Sequence, residues 1–232
     1  MSSFAGRDVL VTGGAGGLGR TVVESLVAAG AAVHVPCFET AVPEWLLALD
    51  GARAEPSIDL TDEGALSNFC APISRLSASL HLAGGFAMSG VADTSLADLR
   101  RLVDLNLVTC FVACAVATRK FREHGEGGRI VNVAAKPVLE PAAGAGMVAY
   151  AATKAAVAGL TRSLAEELAP EGILVNAIAP SIIDTPANRA AMPDADHARW
   201  PTPAQLAQVM MSLASPDNAV ARGAIVPVYG RS

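Results

Sequence analysis

The chain has 232 residues, of which 52% are hydrophobic and 17% charged, and its formal net charge is −5 at pH 7. This length predicts one large domain, residues 1–232, with a full α/β core. The negative charge argues against nucleic acid and anionic membranes as partners. The N-terminal residues lack the pattern of a signal peptide, and polar residues interrupt the most apolar segment, 102–118, so we expect no membrane span.

The cysteines form no CxxC pair and have no histidine at metal-ligand spacing. They are Cys37, Cys70, Cys110 and Cys114. We therefore predict that they are small core residues and that they bind no metal. Free cysteines of this kind indicate a reduced, cytoplasmic protein.

The first predicted unit is a strand at 8–12, a glycine-rich turn and a helix at 21–29. In this order, a glycine motif becomes a candidate dinucleotide site. Gly13 is expected to allow the tight turn, Gly17 to let the backbone approach a pyrophosphate, and Gly19 to let the helix pack closely on the strand. The N-terminus of the helix would offer free N–H groups to the phosphates.

The second predicted strand, 32–37, ends at Cys37, where such folds bind the adenosine ribose. An acid there binds the ribose 2′-hydroxyl of NAD, whereas an arginine accommodates the 2′-phosphate of NADP. The acid Glu39 comes two residues later than expected, and no basic residue stands nearby in the sequence. We therefore favour NAD(H) over NADP(H), although Arg20 or Arg53 could fold back to this position.

A third strand is predicted at 54–58, followed by Asp59, a helix at 65–76 and a fourth strand at 79–83. Asp59 is a candidate for binding the adenine amino group. The alternative is that it only shapes the turn before a capped helix. Small residues after the fourth strand leave room for a cofactor.

A long helix is predicted at 96–124, with Asn106 in its apolar middle, and a fifth strand follows at 129–134. A buried asparagine must find hydrogen-bond partners. Asn106 either bonds to the backbone as a structural residue or holds a water that is linked to Lys154.

Tyr150 and Lys154 lie on the next predicted helix, 149–169. They are four residues apart, so they share one face of the helix. A lysine ammonium beside a phenol favours the phenolate and lowers the pKa of the tyrosine. Such a tyrosine is a usable general acid or base near neutral pH.

The last predicted elements are a strand at 174–179, a helix at 202–214 and a strand at 224–228. Between the first two, residues 181–203 contain four prolines and Trp200. A segment this long is expected to cover a substrate. The alternation of strands and helices predicts an α/β protein with a doubly wound parallel sheet in a single domain.

Several motifs, in the right order and at the right separation, are similar to those of the short-chain dehydrogenase/reductase family over essentially the whole chain. They are TGGAGGLG at 12–19, Asp59-Leu60, LAGG at 82–85, Asn106, YAATK at 150–154 and VNAIAPSIIDTP at 175–186. The resemblance implies a Rossmann-type seven-stranded sheet in the order 3-2-1-4-5-6-7, a nicotinamide dinucleotide, and a homodimer or homotetramer.

The resemblance also implies roles for individual residues. Tyr150 would be the proton donor, Lys154 would hold the nicotinamide ribose and lower the tyrosine pKa, and Asn106 would keep a water in the proton relay. The implied cofactor contacts are Gly13, Gly17, Leu18, Gly19, Cys37, Asp59, Leu60, Ala83, Gly84, Tyr150, Lys154, Pro180, Ile183 and Thr185.

The chain departs from the family at two places. Where the family has an Asn-Asn-Ala-Gly turn, this chain has His81-Leu82-Ala83-Gly84. Ala135 stands where the family has its catalytic serine. No serine or threonine occurs between Arg119 and Ala149, so no neighbouring hydroxyl can take that place.

The dihydropteridine reductase branch of the family resembles this chain at these points. It has an Ala-Gly-Gly turn, an alanine in place of the serine, and a segment similar to 184–196 followed by Trp200. The branch's acid at the end of strand two is absent here, and Asn106 is not expected there. The resemblance implies an NAD(P)H-dependent reductase of a small conjugated substrate, such as a quinonoid dihydropterin or an imine, contacted by Ala135, Lys136, Met192 and Trp200.

Three alternatives stay open. One is a general carbonyl reductase or alcohol dehydrogenase, such as a 3-oxoacyl or ketone reductase, which uses Lys136 or Ser181 as the missing donor. The others are a non-catalytic dinucleotide sensor and a non-redox biosynthetic enzyme on the same scaffold.

Overall fold

The computed structural model describes residues 4–232 and contains one seven-stranded sheet. The strands are β1 (Asp8–Thr12), β2 (Ala32–Pro36), β3 (Ala52–Glu55), β4 (Leu76–His81), β5 (Gly128–Val133), β6 (Ile173–Pro180) and β7 (Ile225–Val228). Every neighbouring pair is parallel, and the order across the sheet is 3-2-1-4-5-6-7. The predicted Rossmann-type fold is confirmed.

Helices cover both faces of this sheet. They are α1 (Gly17–Ala28), α2 (Glu44–Leu47), α3 (Glu63–Cys70), α4 (Leu96–Val103), α5 (Thr109–His124), α6 (Val148–Glu167), α7 (Pro186–Ala191) and α8 (Pro203–Ala214). Strand β1 shows why both faces are apolar: Val9 and Val11 pack with residues of α1 and α8, whereas Leu10 packs with residues of α3, α5 and α6. Consecutive strand residues point to opposite faces, so both faces require apolar side chains.

Some element boundaries differ from the prediction. Strand β3 ends before Pro56 and Ser57, which has a φ of +59° that no extended strand tolerates. Strand β4 begins three residues earlier than predicted and pairs with β1 through an irregular register, in which Asp8 lies opposite Leu76 and Val9 opposite Ala78. The glycines of the first loop start α1 at Gly17, four residues earlier than the periodicity indicated.

The predicted helix 96–124 is interrupted by a π-helical turn at Asp104–Val108, between α4 and α5. By length and hydropathy alone this stretch resembles a membrane span, but 56% of its apolar window is buried inside the fold. Residues of α5 pack against α3 and β4 as part of the core. The apolar composition of the stretch is therefore explained by packing under the sheet.

Candidate active site

The glycine-rich loop between β1 and α1 forms the first wall of the site. Gly13 has a φ of +67°, which favours glycine and turns the chain sharply after β1. A Cβ on Gly19 would overlap the carbonyl oxygen of Gly13, so only glycine lets α1 start this close to the loop. Gly16 caps α1 without any side-chain hydrogen bond, and the first turn of α1 has no acidic residue. The N–H groups of this turn are therefore available to a pyrophosphate, and the loop fits a dinucleotide.

The segment after β6 lies over this loop. A Cβ placed on Gly17 would lie 3.7 Å from Cγ2 of Thr185, so these two predicted cofactor contacts face each other. Thr185 also caps α7 by accepting a hydrogen bond from the Asn188 N–H at 3.2 Å. Ile183 and Leu18 are half-buried and pack against the same core cluster. Pro180 is buried at the end of β6.

The ends of β2 and β3 offer fewer side chains to a cofactor than the sequence indicated. The Cys37 side chain is buried, its N–H donates to the Glu55 carbonyl, and burial raises the pKa of its thiol to about 11. The neighbouring Phe38 is instead 72% exposed. Sequence reasoning did not single out this residue, because a phenylalanine has no recognised place in the ribose motif.

Asp59 follows β3 in an exposed turn. One of its carboxylate oxygens accepts hydrogen bonds from the N–H and the hydroxyl of Thr61, both at 2.8 Å. Asp62 caps α3 by accepting from the Ala65 N–H at 3.1 Å, and Leu60 is buried in the core. This is the turn-and-cap arrangement that the sequence left as the alternative.

Asn106 and Lys154 meet at the end of β4. A Cβ on Gly84 would lie 2.7 Å from Oδ1 of Asn106 and 3.3 Å from Nζ of Lys154. The turn that holds Gly84 is itself held to β1, since the Ala83 N–H donates to the Thr12 hydroxyl at 3.5 Å. The predicted cofactor residues Ala83 and Gly84 therefore lie directly beside two predicted catalytic residues.

The Asn106 side chain is used by the protein itself. Its Oδ1 accepts from the Gly85 N–H at 2.9 Å, and its Nδ2 donates to the Gly85 carbonyl at 3.0 Å and to the Thr153 hydroxyl at 3.1 Å. Asn106 thus clamps the turn after β4 onto α6. It lies in the π-helical turn, a feature that often marks functional sites and that side-chain periodicity did not reveal.

The predicted effect of Lys154 on Tyr150 is wrong in this structure. Burial raises the pKa of Tyr150 to about 12, and burial also lowers the pKa of Lys154 to about 8. The lysine ammonium donates to the Val133 carbonyl at 2.9 Å. Removal from water disfavours the charged form of each group, and this shifts the pKa of both. Among residues 4–232 the other two N–H donors of Lys154 have no partner.

Phe86 is a site residue that sequence reasoning missed. Its ring meets the Tyr150 ring edge-on, with 5.0 Å between the centroids, and 60% of it is exposed. Nearby, the methyl group of Met88 lies 3.7 Å from the position of a Cβ on Gly146. The turn after β4 and the loop before α6 therefore form apolar walls around Tyr150. The sequence offered little signal, since these residues follow the strand in an irregular segment.

Ala135 is buried at the end of β5, and both suggested substitute donors have other partners. The Ser181 hydroxyl donates to the Tyr229 carbonyl at 3.0 Å and accepts from the Ser232 hydroxyl at 2.7 Å. The Lys136 ammonium lies 3.4 Å from the Glu140 carboxylate and donates to the Ser232 carbonyl at 3.2 Å. Both groups are therefore engaged with partners other than a substrate in this structure.

The segment 181–203 is anchored by Trp200. Its indole is buried and packs against the His197 ring at 4.7 Å between centroids. The flanking residues bond to other parts of the chain, because Arg199 accepts from the Arg231 N–H at 2.8 Å and Pro201 accepts from the Asp184 N–H at 2.9 Å. Trp200 fixes the base of the segment, whereas Met192 is half-buried at the end of α7.

His81 replaces the family's asparagine and heads a buried polar network. Asn132 Nδ2 donates to the Thr161 hydroxyl at 2.9 Å, so its Oδ1 faces His81 Nδ1 at 2.8 Å. Because that oxygen only accepts, Nδ1 carries the proton and Nε2 accepts from the Ser79 hydroxyl at 2.7 Å. The possible ligand atoms of His81, Cys110 and Cys114 lie within 4.8 Å of one another, a proximity that their sequence spacing did not reveal.

Residues 7–196 match the family described as short chain dehydrogenase. The chain belongs to the short-chain dehydrogenase/reductase family. It is an NAD(P)-dependent oxidoreductase, and its cofactor is a nicotinamide dinucleotide.

Three known proteins illustrate the similarity. L-2,3-butanediol dehydrogenase of Corynebacterium glutamicum is 34% identical over 197 residues, which cover 77% of this chain and 72% of that protein. The cyclic-di-GMP-binding biofilm dispersal mediator protein of Escherichia coli (strain K12) is 31% identical over 242 residues, covering 99% and 98%. The structure of a 3-oxoacyl-[acyl-carrier protein] reductase with bound NAD from Brucella melitensis superposes with a TM-score of 0.84, at 31% identity, covering 98% and 91%.

Proposed function

We propose that this dehydrogenase reduces a small conjugated acceptor, quinonoid dihydropterin-like or imine-like, with Tyr150 as the proton donor. The observation that carries the proposal is Ala135, which is only 4% exposed and provides no hydroxyl where the family has its serine. The resemblance to the dihydropteridine reductase branch at the same position supports this substrate class.

The missing hydroxyl matters because of where negative charge develops. A donor aimed at a developing oxyanion is worth about 3–4 kcal/mol, so its loss slows reduction of a simple ketone by roughly a hundredfold or more. A quinonoid or imine-like acceptor spreads the charge over conjugated nitrogens and depends less on that donor. Since Ser181 and Lys136 are both engaged elsewhere, neither compensates for Ala135.

The proton comes from a group that is suited to donate it. A phenol with a pKa of about 12 is protonated at neutral pH, so Tyr150 is in its acid form before reaction. A nicotinamide dinucleotide bound at the glycine-rich loop would supply the hydride. The Tyr150 hydroxyl then gives its proton to the substrate, and Lys154, on the same face of α6, is the nearest cationic residue of the helix to the resulting phenolate.

A second candidate is reduction of a ketone or oxidation of a secondary alcohol. It is favoured by two relatives, which are named as a butanediol dehydrogenase and a 3-oxoacyl reductase. For that chemistry, the substrate would have to tolerate the loss of the oxyanion donor or supply its own. The exposed apolar walls around Tyr150 suit either class, so assays with substrates of both classes are needed to choose between them.

The test compares Ala135→Ser with the matched control Ala134→Ser, which adds the same hydroxyl one residue away at a similarly buried position. We expect the unmodified enzyme to reduce quinonoid dihydropterin faster than a simple ketone, and Ala135→Ser to raise kcat/KM for the ketone by about a hundredfold. Brisk ketone reduction by the unmodified enzyme would contradict the proposal, as would an equal gain in the control.

We also propose NAD(H) as the preferred cofactor. The two arginines that could have reached a 2′-phosphate are engaged elsewhere. Arg20 bonds to Glu24 at 2.8 Å and lies over the Trp45 ring, and Arg53 bonds to Glu55 and lies over a phenylalanine ring. Titration of protein fluorescence with NADH and NADPH tests this preference, and tighter binding of NADPH would refute it.

Finally, we propose a cytoplasmic homodimer or homotetramer that binds neither nucleic acid nor membrane. Large apolar side chains on the long helix support association of copies, since Leu99, Leu105 and Phe111 are 36%, 36% and 55% exposed. Such surfaces are common where a second chain covers them. Light scattering coupled to size-exclusion chromatography would measure the oligomeric state, and a monomer at assay concentration would contradict it.

A further inference from the structure

A cationic hollow lies at the edge of the sheet opposite the active site. It is formed where β1, β4 and β5 begin, and these three strands are neighbours in the sheet. Each contributes an arginine at its start: Arg7 precedes β1, Arg75 precedes β4, and Arg129 is the second residue of β5. The hollow measures about 90 Å³ and opens to solvent. The parallel order of the strands brings together three arginines that are far apart in the sequence.

A local irregularity in β4 contributes a hydroxyl group. Leu76 pairs with Asp8 and Ala78 pairs with Val9, so Ser77 is an extra residue between two paired positions. Such a bulge redirects a side chain and is often found beside binding sites. Ser77 lines the hollow, and its hydroxyl has no hydrogen-bond partner in the described part of the chain. It is a free donor on the wall of the hollow.

The positive charge of the hollow is only partly neutralised. The Arg75 guanidinium pairs with the Glu126 carboxylate, but Asp8 is bonded to His34 at 2.7 Å and does not serve Arg7. Within residues 4–232 the Arg7 side chain has neither an ion pair nor a hydrogen bond. Two guanidinium charges therefore remain after Glu126 is counted, in a protein whose net charge is −5.

Arg129 meets carbonyl groups only. Its guanidinium donates to the Asn218 carbonyl at 2.8 Å and to the Gly128 carbonyl at 3.0 Å. Burial, and then the nearby charge of Arg7, lower its pKa. The guanidinium groups of Arg7 and Arg129 therefore repel each other. The Glu126 carboxylate attracts Arg7 but is already paired with Arg75, so an anion would relieve the remaining repulsion.

The histidine on the wall does not add to the charge. His124 Nε2 donates to the Leu76 carbonyl at 2.7 Å, and its Nδ1 accepts from the Glu126 N–H at 3.2 Å. One nitrogen donates and the other accepts, which is the pattern of a neutral imidazole. The cationic character of the hollow therefore rests on the arginines.

We propose that this hollow binds a tetrahedral oxyanion, namely inorganic phosphate or the phosphate group of a small phosphomonoester. Guanidinium groups and a hydroxyl are the donors that recognise phosphate oxygens. The hollow opens to solvent and has room for a phosphate group. The ligand would neutralise Arg7 and Arg129 on the edge of the sheet away from Tyr150.

The test is a calorimetric titration with inorganic phosphate at constant ionic strength, with the dinucleotide present at saturation so that its own site is filled. The variants are Arg7→Gln and the matched control Arg100→Gln, which removes the same charge from an exposed position on α4. We expect Arg7→Gln to weaken phosphate binding about tenfold or more, and Arg100→Gln to leave it unchanged. Equal weakening in both variants, or no phosphate binding by the unmodified protein, would overturn the proposal.

Two further measurements complete the test. Ser77→Ala is expected to weaken binding by several-fold without changing the midpoint of thermal unfolding in phosphate-free buffer, because the hydroxyl bonds to nothing else described. Titration with glycerol phosphate then distinguishes the two sources of the ligand. If glycerol phosphate binds more tightly than inorganic phosphate, the ligand is a phosphomonoester; if it binds more weakly, the ligand is the free ion. If neither Ser77→Ala nor Arg7→Gln changes the affinity for either ligand, the proposed site is wrong.

Discussion

Cationic side chains have partners at the carboxyl edge of the sheet but are incompletely paired at its amino edge. At the carboxyl edge each cation near the candidate site has a partner: Arg20 bonds to Glu24, Lys136 lies beside the Glu140 carboxylate, and Lys154 is buried against a carbonyl. At the amino edge, Arg7 has no side-chain partner among the described residues, and Arg129 meets only carbonyl groups.

The direction of the helices explains this difference. In a doubly wound sheet the helix N-termini, with their free N–H groups, lie at the carboxyl edge, and the helix C-termini lie at the amino edge. The start of α1, which has no side-chain cap, can bind phosphate through backbone N–H groups, without a nearby free cation. The carbonyl groups beyond the end of α8 attract Arg129. Each edge therefore binds anions by different means, backbone dipoles at one and guanidinium groups at the other.

The largest expected effect is that of removing the Tyr150 hydroxyl, which should abolish most of the activity at the carboxyl edge and leave the amino edge unchanged. Tyr150→Phe deletes the proton donor but keeps the ring that packs against Phe86. We expect kcat to fall by about 10²–10⁴-fold, the usual contribution of general acid catalysis. Steady-state kinetics with the best substrate found would measure this loss.

The same variant serves as its own control for folding. The response to phosphate and the midpoint of thermal unfolding should both stay close to those of the unmodified protein, since the hollow lies at the other edge of the sheet and the ring that packs against Phe86 is kept. A variant that retains most of its turnover would show that another group delivers the proton.

The pH dependence of the reaction tests the buried lysine. Burial lowers the pKa of Lys154 to about 8, so its ammonium is present below that pH and is lost above it. If its charge supports the reaction, kcat/KM should fall about tenfold for each pH unit above about 8. Tyr150, with a pKa of about 12, would add no loss in this range.

Lys154→Arg sharpens this test, because a guanidinium stays charged throughout the range. The loss of activity above about pH 8 should disappear in this variant, even if its rate is lower at every pH. A profile that stays flat to about pH 10 in the unmodified enzyme would show that the ammonium charge is not needed.

A smaller effect is expected when a free cation is placed at the carboxyl edge. Phe38 is 72% exposed after β2, close to where a ribose 2′-phosphate is read in this fold. Phe38→Arg should raise the affinity for NADPH relative to NADH by about tenfold, the worth of one charged hydrogen bond. Fluorescence titration would measure both constants. Phe38→Gln is the control, and an equal change there would attribute the effect to loss of the ring.

Short-range patterns in the sequence determined much of this protein. The bounds of β1, 8–12, were predicted to the residue, because an apolar run before a glycine turn is a local signal. The spacing of Tyr150 and Lys154 placed both on one helix, and the glycine motif predicted the close approach of α1 to its loop. The strand order followed from the family resemblance and was confirmed.

Other features were decided only by the tertiary structure. The pKa of Tyr150 rises because burial removes its hydroxyl from water, and burial depends on Phe86 and other neighbours that spacing does not reveal. Asn106 bonds to Gly85, which lies 21 positions away in the sequence. Arg7 and Arg129 meet because β1, β4 and β5 are neighbours in the sheet. Periodicity reports which face of an element is apolar, whereas solvation and charge pairing depend on which elements become neighbours.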